Sequence, residues 1–176
     1  MVNTEALVTT YLEMRARSEL RSADRGGRNE RLEIRELPQP DWKFNREMYF
    51  RVGEKWKWID KRPWTDTQWQ EYASDPSLRT FSGYCGDELA GYFELKRTDN
   101  KEPITENVEG IELAYFGLLP EFIGRGLGAD LLGSAIEIAW SWAPTPSRVW
   151  VHTCNRDHPN ALANYQARGF KIYRVE

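Results

Sequence analysis

The sequence predicts a mixed β-sheet with helices packed on its faces. Three observations lead to this fold class. Leu78–Cys85 and Glu88–Arg97 are strand-like runs separated by Gly86-Asp87, a pair that tolerates the dihedral angles of a tight antiparallel hairpin. Val108–Leu118 is a further strand-like run, followed by a glycine turn. Beyond that turn Leu127, Leu131, Leu132, Ala135, Ile138, Ala139 and Trp142 recur at helical spacing. A strand at Arg148–Thr153 completes a strand–helix–strand crossover, so antiparallel and crossover connections belong to one sheet.

The remaining elements are taken in chain order. Ala6–Met14, rich in Leu, Val, Thr and Tyr, reads as a strand, and charged Arg15–Glu30 with Gly26-Gly27 as a loop. Arg31–Leu37 alternates charged with apolar residues, the signature of a half-exposed strand, and Pro38 and Pro40 stop it. Trp42–Tyr72 holds five of the eight tryptophans; it reads as a helix at Trp42–Val52, a loop at Gly53–Pro63 and a helix at Asp66–Ala73 capped by Thr65 or Asp66. These aromatics are expected mainly to pack helices onto the sheet, with some lining a pocket. Thr98–Glu106, which contains Pro103, is a polar loop. After the crossover helix, Pro144 and Pro146 break the chain. A short helix at Pro159–Arg168 and a last strand at Phe170–Val175 close it.

At 176 residues the chain has the length of one domain, taken as 1–176. Lys and Arg number 24 against 27 Asp and Glu, and a net charge of -3 offers no electrostatic case for nucleic acid. No apolar run has the length of a membrane span and no signal peptide is recognised, so a soluble cytoplasmic protein is expected. Cys85, Cys154, His152 and His158 lack metal-ligand spacing, and no metal is expected; both cysteines read as half-buried small residues.

The stretch from Ile123 to Ala129 carries the chemistry. Gly124, Gly126 and Gly128 stand between a strand and a helix N-terminus. Unpaired N–H groups, the helix dipole and missing side chains there make an anion site, and Arg125 adds charge. No Walker loop is present. A dinucleotide fingerprint is formally present at Gly124–Ala129, but the chain beyond it is too short for the domain that uses one.

More of the chain is accounted for by three segments together. They are Glu112-Leu113-Ala114-Tyr115-Phe116-Gly117-Leu118-Leu119-Pro120-Glu121-Phe122, then Gly124-Arg125-Gly126-Leu127-Gly128, then Ala161-Leu162-Ala163-Asn164-Tyr165 running into Arg168-Gly169-Phe170. This combination resembles the GNAT superfamily of N-acetyltransferases over roughly Leu78 to Glu176. One departure is Ile123, at the head of the glycine motif where the family commonly has Gln or Arg.

The resemblance implies a central, mostly antiparallel twisted sheet with helices on both faces, and acetyl transfer from acetyl-CoA to an amine acceptor. It implies that the pyrophosphate rests on the amides of Ile123 to Ala129, Leu127 among them. The pantetheine would pair with the strand edge at Phe116, Gly117 and Leu118, with Leu118 N–H as oxyanion donor. Tyr165 matches the tyrosine that protonates the departing thiolate, and Asn155 is placed to hydrogen-bond the pantetheine. Glu112 occupies the position of a general base, and strand parity would set it on one face with Ala114, Phe116 and Leu118. Glu94, Glu109 and His152 are the alternatives. The acceptor pocket is expected from Trp42–Tyr72, and a homodimer at family level. A non-catalytic acyl-CoA-binding or protein-interaction module is the competing reading, and a nucleotide-dependent oxidoreductase a distant third.

Overall fold

The computed structural model describes residues 6–23, 30–98 and 109–176. Among these residues seven strands, β1 (Thr9–Met14), β2 (Glu33–Glu36), β3 (Leu78–Cys85), β4 (Glu88–Thr98), β5 (Gly110–Leu118), β6 (Val149–Cys154) and β7 (Lys171–Val175), form one sheet in the order β2-β3-β4-β5-β6-β1-β7. All pairings are antiparallel except β5 with β6. Gly26-Gly27, the strand start at Val108 and the expected polar loop after Thr98 lie outside the described residues. Among those described, no helix is long and apolar enough to cross a membrane.

Among the described residues four α-helices flank the sheet: α1 (Trp42–Gly53), α2 (Asp66–Ala73), α3 (Leu127–Ser141) and α4 (Ala161–Ala167). The Asp41 side chain, which the sequence pattern does not mark, caps α1 by accepting from Lys43 and Phe44 N–H. Thr65 and Gln68 close a capping box on α2. On one face, Phe93 and Leu95 of β4, Ile111 and Leu113 of β5, and Val149 and Val151 of β6 bury against Leu131, Leu132 and Ala135 of α3 and Tyr165 of α4. On the other, Tyr92 and Ala90 pack against Met48 and Val52 of α1. Helices thus cover both faces, with α3 and α4 on one and α1 and α2 on the other.

Two irregularities of β5 give the sheet an opening and set the faces of its side chains. Its parallel ladder with β6 extends over two pairs, Ile111↔Val149 and Glu112↔Trp150, while β6 pairs along its whole length with β1. Beyond Glu112 the two strands diverge. The register with β4 also shifts, Glu94 opposing Tyr115 but Leu95 opposing Leu113, so Ala114 is an extra residue on β5. The bulge inverts the parity expected from the sequence. Cross-strand partners share a face, so Glu112 goes with Lys96, Tyr115 with Glu94, and Phe116 with Phe93 on the opposite, α3 face. The expected grouping of Glu112 with Phe116 and Leu118 is therefore corrected.

Candidate active site

The divergence of β5 and β6 opens a cavity of about 1130 Å³ that is lined from both faces of the sheet. From the α3 side come Leu113, Phe116, Val151, Ala161, Tyr165 and the glycine turn; from the α1 and α2 side come Glu112, Tyr115, His152, Lys61 and Tyr72. An opening through a sheet is what two reactants need if each is to approach from its own side. The segment between α1 and α2 reaches across this opening. Trp58 Nε1 donates to Asp157 Oδ1 at 3.3 Å, and the Trp56 ring lies 4.7 Å from that of His158.

The glycine turn is built by local backbone demand. Gly124 and Gly126 take φ of 86° and 78°, values that side chains strain against, and Gly126 is the N-cap of α3 without a side-chain cap. A Cβ on Gly124 would meet nothing within 4 Å, and one on Gly128 would meet Leu118 Cδ1 at 3.8 Å. No described side chain closely crowds Gly124 or Gly128, which leaves room beside the first turn of α3. Gly124, Gly126, Gly128, Ala129 and Ile123 all border the cavity, and the Ile123 side chain is 37% exposed.

The Arg125 side chain, expected to add charge at the anion site, is turned elsewhere, and the Leu127 side chain points into the core while its amide stays in the turn. Arg125 pairs with Glu30 at 2.8 Å and lies over the Phe122 ring, drawn off by a carboxylate distant in sequence. The Leu127 side chain is buried in the second core cluster because the amphipathic stripe of α3 begins with it. The glycine turn thus offers backbone amides to the cavity. Asn155 is likewise engaged elsewhere: its Oδ1 accepts from Val8 N–H and its Nδ2 donates to Ala6 O, tying down the segment before β1. Asn160, and Asn164 from the segment that runs into Tyr165, border the cavity instead.

Along β5 the ladder with β4 decides which polar groups are available. Leu119 N–H donates to Ala90 O at 2.8 Å, and antiparallel ladders alternate, so Gly117 turns its backbone groups to β4. Phe116 and Leu118 direct theirs into the gap.

Glu112 and His152 meet across the divergence, with His152 Nδ1 3.3 Å from Glu112 Oε1. The Glu112 side chain is largely shielded and that of His152 half exposed. The hydrogen bond to Glu112 raises the histidine's pKa above its ordinary 6.5 despite opposing desolvation, and Asp157 and Asp60 add to it. Tyr165 is buried beside Phe116 and Phe170, and desolvation pushes its hydroxyl far above the usual range. It stays a proton-carrying phenol at any physiological pH.

Glu94 lies deeper. It is 1% exposed, accepting from Asn45 Nδ2 at 2.8 Å and from the Tyr72 hydroxyl, with burial raising its pKa. Tyr72, not Glu94, borders the cavity. Glu109 is exposed and stands outside the lining. Among the described residues no group of three His, Cys, Asp or Glu is placed to hold a metal ion.

Comparison with known proteins agrees with this geometry. The sequence model of the acetyltransferase (GNAT) family matches residues 32–170. No curated protein matches. Among solved structures, a GCN5-related N-acetyltransferase from Sphaerobacter thermophilus superposes with a TM-score of 0.66 at 13% identity, covering 96% of this chain and 49% of that one. A functionally unknown conserved protein from Staphylococcus epidermidis gives 0.60 at 15% identity, over 97% of this chain and 60% of that one. The chain thus spans about half to three fifths of those two proteins. An aminoglycoside acetyltransferase from an uncultured soil metagenomic sample, solved with trehalose, gives 0.59 at 12% identity over 78% and 86% of the two chains. At these identities the likeness is one of fold.

Proposed function

The chain belongs to the acetyltransferase (GNAT) family, and from that premise we propose that it transfers the acetyl group of acetyl-CoA to a primary amine of a small acceptor. The observation that carries this reading is a single cavity, open through the sheet, bordered by an uncapped helix N-terminus on one side and the Glu112–His152 pair on the other.

The residues present fit the donor. Gly124 and Gly126 hold a positive-φ turn, with no described side chain within 4 Å of a Cβ on Gly124, so the amides from Gly124 to Ala129 would hold the pyrophosphate. The unpaired edge of β5 at Phe116 and Leu118 would hold the pantetheine amides. When bound, acetyl-CoA supplies an activated thioester carbonyl.

This chain's residues would do the rest. Glu112, with His152 behind it, takes the proton that an acceptor ammonium must lose before its nitrogen can attack. Leu118 N–H, turned into the gap, offers a donor to the acyl oxygen. Tyr165, kept protonated by burial, offers its proton to the departing sulfur. Tyr115, Tyr72 and Trp58 wall the acceptor side.

Calorimetric titration with acetyl-CoA, followed by thiol release with an amine panel, tests the proposal. Binding at micromolar concentration with turnover of at least one amine is expected. Absence of binding overturns it, and binding without turnover of any amine turns the chain into a non-catalytic acyl-CoA-binding module.

A further inference from the structure

Lys61 stands in a turn between α1 and α2, and its side chain enters the cavity from the acceptor side. Its Nζ lies 3.8 Å from the centroid of the Trp64 ring, 4.5 Å from Tyr72 and 5.4 Å from Tyr115. Among the described residues Nζ makes no hydrogen bond or ion pair, and the ring faces are its direct contacts, with Glu94, Asp60 and Glu112 acting on it at longer range. Such a cage, in a cavity shared with Glu112, is where an acceptor amine would be expected to lodge.

We propose that Lys61 is itself an acetyl acceptor, occupying the acceptor subsite until it is acetylated on Nζ. This rests on the acetyltransferase function proposed for the same cavity. Lysine suits the role, having a flexible four-carbon stem and a nitrogen whose proton is readily lost when desolvated. Burial lowers its pKa, against the opposing pull of Glu94, Asp60 and Glu112.

The step balances. Lys61 Nζ gives up one proton toward Glu112 and its lone pair forms the N–C bond to the acetyl carbonyl. The C–S bond breaks, the sulfur leaves as the coenzyme A thiol, and the amide nitrogen sheds its second proton. The sum is one acetyl-CoA and one ammonium to one amide, one thiol and one proton. Loss of the cation removes its cation–π hold on the three rings.

The test incubates the purified protein with acetyl-CoA and no amine, then quantifies acetylation at every lysine by peptide mass spectrometry. Lys61 should be modified at least about tenfold faster than exposed Lys43, Lys55 and Lys171, at a rate per molecule independent of protein concentration. Glu112→Gln should slow Lys61 alone. Lys61→Arg should abolish that modification while leaving acetyl-CoA binding in place. If acetyl-CoA binds and amines are acetylated while Lys61 stays unmodified, or is modified no faster than the exposed lysines, this proposal falls and the acetyltransferase function stands. If acetyl-CoA does not bind by calorimetry, both fall.

Discussion

His152 Nδ1 stands 3.3 Å from Glu112 Oε1, joining two strands whose parallel ladder has ended at Glu112↔Trp150. The carboxylate holds the imidazole's proton more tightly than water would, against desolvation, with Asp157 and Asp60 acting in the same sense.

That contact sets the pH dependence of the proposed reaction. Below the raised histidine pKa the pair already carries a proton, so its capacity to accept another grows as pH rises through that value. Turnover should therefore climb on an acid limb lying above the ordinary histidine pKa of 6.5. In Glu112→Gln the limb should move down, and kcat should fall by about 10²-fold or more. An acid limb unchanged in the variant would rule out this pairing.

Gly128→Ala separates folding from donor binding. An added Cβ meets Leu118 Cδ1 at an ordinary 3.8 Å, and alanine favours the helix by up to about 1 kcal/mol. The same methyl enters the room beside the first turn of α3. We expect an unchanged or higher melting temperature together with weaker acetyl-CoA binding, measured by calorimetry. Equal or tighter binding would remove the pyrophosphate from this turn.

Tyr165→Phe deletes one hydroxyl at the cavity wall and keeps the ring against Phe116 and Phe170. A proton donor lost in this way should lower kcat by about 10²-fold with little change in acetyl-CoA affinity. A parallel loss of affinity would instead give Tyr165 a binding role.

Glu94 is a stability determinant with its own pH signature. Its folded pKa is raised by burial from an ordinary 4.5, so the folded state holds the proton longer than the unfolded chain does. Stability from this group is present at acid pH and declines as pH rises from about 4.5 through the folded value. Glu94→Gln abolishes that titration, so its melting temperature should gain on the wild type toward neutral pH. Glu94→Leu should cost about 1–3 kcal/mol for a buried donor left without its acceptor, the Tyr72 hydroxyl foremost, since Asn45 Nδ2 keeps its bond to Thr80 Oγ1. A constant difference between Glu94→Gln and wild type across pH would contradict the assignment.

Much of the fold was legible because its signals are local. The Gly86-Asp87 hairpin, the Thr65 cap and the helical stripe from Leu127 each depend on residues within a few positions. The glycine turn belongs with them, since positive φ at Gly124 and Gly126 is a demand of the backbone itself. Strand ends differ by a few residues, β1 beginning at Thr9 rather than Ala6, because pairing partners set them.

The cavity lining was legible less completely. Glu112, Phe116, Leu118 and Tyr165 stand on its wall or edge, and His152 beside them, whereas Arg125 and Asn155 are engaged by Glu30, Val8 and Ala6. Those contacts join residues about a hundred or more positions apart, and no local pattern announces them. Lys61 was one charge in an aromatic segment until the fold brought Trp64, Tyr72 and Tyr115 around it.

By itself, then, the sequence determined which segments become strands and helices and where glycine must stand, since these obey steric rules between neighbours. The tertiary structure alone decided which face each side chain takes. The extra residue at Ala114 sets Tyr115 with Glu112 and Phe116 across the sheet, and the short β5–β6 ladder opens the gap between them. Both are properties of strand register, which arises from pairing between distant segments and reverses every side chain when it slips by one residue.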